Sequence, residues 1–331
     1  MADPSALSES ATPGAAAAAE GDRPQVVLGA GPVGLALVDE LRRLGRAVRV
    51  VTRSGRADVP EGVELVQADI ADPAQAARAC RDATIVYGCV GLDYTGWPER
   101  WPPMMAGMLA GAEAAGARFV FMDNLYMYGP VEEPMREDMP LTDYGRKPAT
   151  RAAITRLWQE AHAAGRVPVV AVRASDFYGP RVRNAALGDL SFGRLMQDKS
   201  AQVLGDPDQP HSVAYVPDIA RALVTLADAP LDAYGQAWHV PHAPARTVRE
   251  LVEIFAHEVG RQAKLQTAPA FLLRLMGLFD PNAGEVVEML YQWQRPFHVD
   301  DRKYRARFGG EATPFEQGIA ATARWHQVQQ A

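Results

Sequence analysis

The chain has 331 residues, 48% of them apolar and 22% charged, with a formal net charge of −6. That length allows a sizeable core in one large domain or two smaller ones, and the acidic balance argues against nucleic acid as a partner. Two cysteines, Cys80 and Cys89, make neither a disulfide framework nor a metal-ligand spacing. No apolar run reaches the roughly 18 residues of a membrane span. The expectation is a cytoplasmic protein whose partner is a small molecule, with homodimerisation an open alternative.

Residues 1–22 are rich in Ala, Ser and Pro, lack the apolar centre of a signal peptide, and are expected to be a disordered tail. Val26-Val27-Leu28 then runs into Gly29-Ala30-Gly31-Pro32-Val33-Gly34, a Gly-x-Gly-x-x-Gly turn between an apolar strand and an amphipathic helix. Gly29 allows the tight turn, Gly31 lets a pyrophosphate approach the backbone, and Gly34 lets the helix pack closely on the sheet. Pro32 suits the first helical turn, where its missing N–H costs nothing. Phosphates would sit on the free N–H groups at the positive end of this helix. The helix is expected over residues 33–44, with Gly45 as its stop.

A second strand at residues 47–51 ends at Thr52-Arg53-Ser54. A dinucleotide fold that prefers NAD carries Asp or Glu here. Arg53 instead favours a 2′-phosphate through charge-assisted hydrogen bonds, so NADP(H) is expected over NAD(H). Residues 63–66, 84–87, 119–122 and 169–172 read as further strands. Helices are expected over 102–115, stopped by Gly116, and from about Pro148 onward. This alternation predicts an α/β fold, a Rossmann-type doubly wound parallel sheet. Ligands of such sheets bind beyond the carboxyl ends of the strands. That rule selects Gly29–Gly34, Arg53, Asp69, Val90-Gly91, Asp123-Asn124 and Arg173-Ala174-Ser175.

Past Pro180 the rhythm gives way to prolines and aromatics, among them Trp238, Phe271, Phe279, Tyr291, Trp293 and Phe297. Residues 181–331 are expected to be mainly a smaller, substrate-binding C-terminal lobe, with 212–240 returning to a nucleotide-binding domain at 23–180. A helix is expected from Val216 to Leu226. Another is expected from Thr247 to Val259, capped by Thr247 with Glu250. His239 and His242, interrupted by Pro241, do not complete a metal set.

Several stretches, in order, resemble the extended short-chain dehydrogenase/reductase superfamily, in its NAD-dependent epimerase/dehydratase branch typified by UDP-galactose 4-epimerase. They are Ala68-Asp69-Ile70, the segment from Phe119 to Gly129, Arg173-Ala174-Ser175-Asp176-Phe177-Tyr178-Gly179-Pro180, Leu204-Gly205-Asp206, and Tyr215 to Ala220. The likeness covers nearly all of residues 24–240. It implies Asp69 and Ile70 beside the adenine and Ala174, Ser175 and Phe177 under the nicotinamide. Val90 and Gly91, beyond the fourth strand, are expected to contact the cofactor as well.

The resemblance also implies a catalytic Ser or Thr, a Tyr, and a Lys four residues after the Tyr. This chain departs at each step. Asn124 stands at the serine position and can donate to a carbonyl oxygen without relaying a proton. Tyr144 is the nearest tyrosine and would supply the proton; Lys147, three residues later, would hold the nicotinamide ribose. The fourth residue is Pro148, which inside a helix running through Tyr144 would cost about 3 kcal/mol. Tyr126 is a second candidate acid, or an aromatic packed beside Tyr128. Arg181, Asn184 and His211 fall in segments that line the substrate cleft of the relatives; solvated side chains and a hydrogen-bonded histidine are the alternative. Relatives that use sugar nucleotides often carry arginine near the position of His211.

The expected function is an NADPH-dependent oxidoreductase moving a hydride at a carbonyl or hydroxyl carbon. The alternatives are an NAD(P)-dependent epimerase or dehydratase on a sugar-like substrate, and a non-catalytic NAD(P)-binding sensor or scaffold resembling the NmrA-like regulators.

Overall fold

Seven short, mostly apolar runs form one parallel sheet in the computed structural model, which describes residues 23–268 and 281–330. The expected tail at 1–22, with Phe271 and Phe279, lies outside the described residues. The strands are β1 Gln25–Leu28, β2 Val48–Thr52, β3 Glu64–Gln67, β4 Ile85–Gly88, β5 Arg118–Asp123, β6 Val169–Arg173 and β7 Ala237–His239. Their order is β3-β2-β1-β4-β5-β6-β7, every pair parallel. The chain winds outward from β1 to β3, then returns to β4 on the other side. The strand order therefore reverses between β1 and β4, where a crevice opens at the carboxyl ends.

Alternation along each strand feeds two cores. On one face Val27 and Val50 pack with Leu37 and Leu41 of α1 (Pro32–Arg43) and with Ile219 and Leu223 of the helix Val216–Asp228. On the other, Val26 and Leu28 meet Met105 and Met108 of α2 (Trp97–Ala115) and Trp158 of α3 (Lys147–Ala163). Covering both faces is what a parallel sheet requires. A separate cluster in the C-terminal region joins Phe192, Leu251, Phe255, Trp293 and Ile319, with Phe192 and Phe255 stacked 4.1 Å apart. Its helix Val248–Glu258 starts with the expected capping box of Thr247 and Glu250.

Two elements differ from expectation. The helix expected from Pro102 begins at Trp97, with Pro102 and Pro103 inside it. Each proline removes a backbone donor, but the buried rings of Trp97 and Trp101, one turn apart and 5.8 Å between centroids, hold the first turns in place. Strand β7 was not anticipated, although 212–240 was expected to return to this domain: three buried residues pair with β6. The helix expected near Pro148 begins at Lys147, so Lys147 is its first residue and Tyr144 lies on the preceding turn.

Candidate active site

The three glycines of the turn divide their work. Gly29 has φ +102°, and a Cβ there would lie 2.7 Å from the Cys89 carbonyl oxygen; one on Gly34 would run into the Gly29 carbonyl. Both are needed for close packing. Gly31, by contrast, is exposed, and a Cβ on it would meet nothing within 4 Å. Gly31 caps α1, whose first N–H groups have no partner inside the helix. An open, electropositive cradle of this kind fits the pyrophosphate of a dinucleotide.

Around it, Arg53 is exposed at the end of β2, and its guanidinium has no hydrogen bond or ion pair among the described residues; its carbonyl accepts from Gln67 at 3.2 Å. One Asp69 carboxylate oxygen accepts from the Ala71 N–H at 3.0 Å. Ile70 is buried, and its carbonyl lies so close to Gly107 that α2 could carry no side chain there. Val90 is half-buried, and Gly91 is exposed beside open space.

Beneath the cleft, at the ends of β5, β6 and β7, lies a buried polar chain that the sequence reading missed. Asp123 is ion-paired with Arg151 of α3 and accepts from Arg173 at 3.4 Å. Arg173 donates to the Tyr128 hydroxyl at 2.6 Å, which lies 2.8 Å from His239 Nε2. His239 Nδ1 reaches the Asp300 carbonyl at 2.9 Å. The Arg151 guanidinium lies 4.4 Å from the Trp101 ring centroid. The available signal was an Asp, an Arg and a His closing three strands, but β7 itself had not been recognised.

Burial, reinforced by the Arg173 charge, holds the His239 imidazole down at about 3. Burial likewise holds His242 at about 4. Both values lie below the ordinary 6.5, so the folded state excludes protons that the unfolded chain accepts. Their stabilisation is complete above pH 6.5 and is lost as pH falls from there toward 4, at about 1.4 kcal/mol per pH unit for each histidine. The urea midpoint should therefore drop clearly between pH 7 and 5, and His239→Gln should flatten that fall. A midpoint constant across this window would contradict the assignment. His242 Nε2 lies 2.9 Å from the Ser175 hydroxyl, and no group of three or more His, Cys, Asp or Glu placed to hold a metal occurs among the described residues.

Asn124 is half-buried; its carbonyl oxygen accepts from the Tyr126 N–H at 3.1 Å, and its amide donors have no protein partner among the described residues. The Tyr126 hydroxyl lies 2.7 Å from that of Tyr94, and its ring stacks on Trp97 at 5.9 Å. Burial pushes Tyr94 up to about 12 and Tyr126 well above its ordinary value, helped by the Asp176 charge. Both phenols therefore stay protonated at neutral pH.

Tyr144 is 42% exposed, edge-on to Tyr291 at 5.6 Å. Lys147 is buried, its ammonium bonded to Glu285 and, at 2.9 Å, to Glu288. Ala174 and Ser175 are buried and Phe177 is half-buried, just past the end of β6. Among the expected substrate contacts, Arg181 pairs with Asp39 at 2.5 Å and Asn184 is exposed. His211 is buried, held by Asp176 at 3.0 Å and stacked between Trp293 and Phe297.

The family model of the NAD dependent epimerase/dehydratase family matches residues 26–240, which include the glycine turn and every strand of the sheet but β1's first residue. The chain belongs to that family. Among curated proteins, a Bacillus subtilis protein named uncharacterized UDP-glucose epimerase YtcB is 25% identical over 154 residues, 44% of this chain and 46% of that protein. The match thus spans about half the length of this relative. Among solved structures, MoeE5 in complex with UDP-glucose and NAD is 23% identical, with a TM-score of 0.75 over 93% of this chain and all of that one. The epimerase Mth375 of Methanothermobacter thermautotrophicus is 19% identical, with a TM-score of 0.78 and 93% of both chains covered. The Thermus thermophilus UDP-glucose 4-epimerase, solved with NAD, is 20% identical, with a TM-score of 0.73 over 92% of this chain and 99% of that one. These likenesses establish the shared fold, the doubly wound Rossmann-type sheet.

Proposed function

We propose that this protein is an NAD(P)-dependent epimerase or dehydratase acting on a sugar-like substrate. The observation that carries the reading is the open Gly31 cradle at the strand-order reversal, within a family match that runs through the Asn124, Tyr144 and Arg173–Pro180 segments. The relatives named above, described as epimerases or bound to UDP-glucose with NAD, favour this reading over the NADPH-dependent oxidoreductase expected from sequence. A bound nicotinamide would supply the hydride acceptor and donor. Gly31 with the α1 N-terminus would hold its pyrophosphate. Asn124 would donate to the oxygen of a transient carbonyl, and a phenol, Tyr144 or Tyr126, would supply its proton. Incubation with UDP-glucose, UDP-galactose and UDP-glucuronic acid, followed by product NMR, tests the reading. Inversion at a ring carbon or loss of water is expected; unchanged sugars throughout would refute it.

Arg53 supports NADP(H) as the preferred cofactor, although two of the solved relatives, MoeE5 and the Thermus thermophilus enzyme, hold NAD. Arg53→Asp removes a charge-assisted bond of about 1.5–3 kcal/mol, so it should weaken NADPH by roughly tenfold or more while sparing NADH. Equal losses for both in a fluorescence titration would remove Arg53 from that role.

A further inference from the structure

Lys147 belongs to the expected set, yet its working end is buried and already ion-paired. Its side chain is 1% exposed. Two of its three ammonium donors go to Glu285 and Glu288, and the Tyr94 ring lies on another side, 5.2 Å from the nitrogen. Glu288 also accepts from the backbone N–H groups of Arg146 and Lys147, closing the N-terminus of α3. The chain that follows packs on two more of the candidate residues. Tyr291 meets Tyr144, and Trp293 stacks on His211 with centroids 3.9 Å apart. Residues 285–293 thus touch the candidate residues from Tyr144 to His211, through contacts more than 80 positions apart in sequence.

We propose that residues 285–293 form a strap clasped on Lys147, so that Glu285 and Glu288 compete with the nicotinamide ribose for a single ammonium. The inference rests on the NAD(P)-binding reading. A carboxylate is a much stronger acceptor for an ammonium than a neutral ribose hydroxyl. The clasped state is therefore favoured in the free protein, and apparent cofactor affinity falls by the fraction of molecules that are unclasped. Binding shifts the population by freeing Lys147, which also loosens the contacts of Tyr291 and Trp293 over the cleft. Cofactor entry and access to Tyr144 are thereby coupled through one ion-pair cluster.

Glu285 is the residue to change, because Glu288 also caps α3. NADH and NADPH are titrated by fluorescence into the full chain, Glu285→Gln, Lys147→Met and the double variant. Glu285→Gln should tighten binding by at least about threefold, and Lys147→Met should erase that gain in the double variant. Hydrogen exchange over 285–293 should quicken when the wild type is saturated with cofactor. Unchanged or weaker binding by Glu285→Gln, or slower exchange over the strap on saturation, would overturn the clasp while leaving the cofactor reading intact. Binding of neither nucleotide by any of the four proteins would overturn the cofactor reading and the clasp with it.

Discussion

Replacing Gly31 by valine should abolish dinucleotide binding and leave thermal unfolding where it is in the wild type. The space around Gly31 is open, so the added side chain meets no protein atom; it fills the volume a pyrophosphate would need. Backbone strain is not the cause, because Gly31 sits at φ −73°, which any residue adopts. Affinity for NADH and NADPH, followed by fluorescence, should fall by at least about a hundredfold, the loss of several hydrogen bonds to a charged group. Gly29→Val is the contrasting variant. Its side chain would strike the Cys89 carbonyl from a left-handed backbone, so it should lower the unfolding temperature as well. Normal affinity in Gly31→Val would show that the turn only packs a helix on a sheet.

Asp123→Ala should be the most destabilising single change in the Rossmann sheet. It strands Arg151 and Arg173, both buried, without their shared carboxylate. Removing one partner of a buried ion pair costs about 3–5 kcal/mol, because the remaining charge has been desolvated for nothing. With two arginines on one acid, the upper end of that range is expected in urea unfolding. Asp123→Asn keeps an acceptor oxygen and the bond from the Asn124 N–H, so it should cost less. A loss below 1 kcal/mol for Asp123→Ala would mean that water reaches these guanidinium groups.

What was legible in the sequence is what rests on local spacing. Strands β1 to β6, helix α1 and the Thr247–Glu250 cap each follow from residues within a turn or two of one another. The start of α2 was hidden because proline at residues 98, 102 and 103 reads as a helix break, whereas the burial of Trp97 and Trp101 overrides it. Strand β7 carries too few residues for a period to show. The site's polar contacts were the least legible. Lys147 meets its glutamates 138 and 141 residues downstream, and Tyr128 meets His239 across 111. Sequence order pointed to Lys147 as a ribose ligand, but only the fold reveals that two of its donors already go to carboxylates.

The tests of Gly31 and Arg53 address the cofactor; the reaction requires a labelled substrate. An epimerase or dehydratase returns the hydride it removes, whereas an oxidoreductase leaves it on the released cofactor. UDP-glucose carrying deuterium at C4 should be incubated with the full chain and an equimolar amount of NAD or NADP, and the label followed by mass spectrometry. An altered sugar that retains the deuterium, with no net build-up of reduced cofactor, is the expected result. Deuterium accumulating in the reduced cofactor, in step with a ketosugar product, would contradict it.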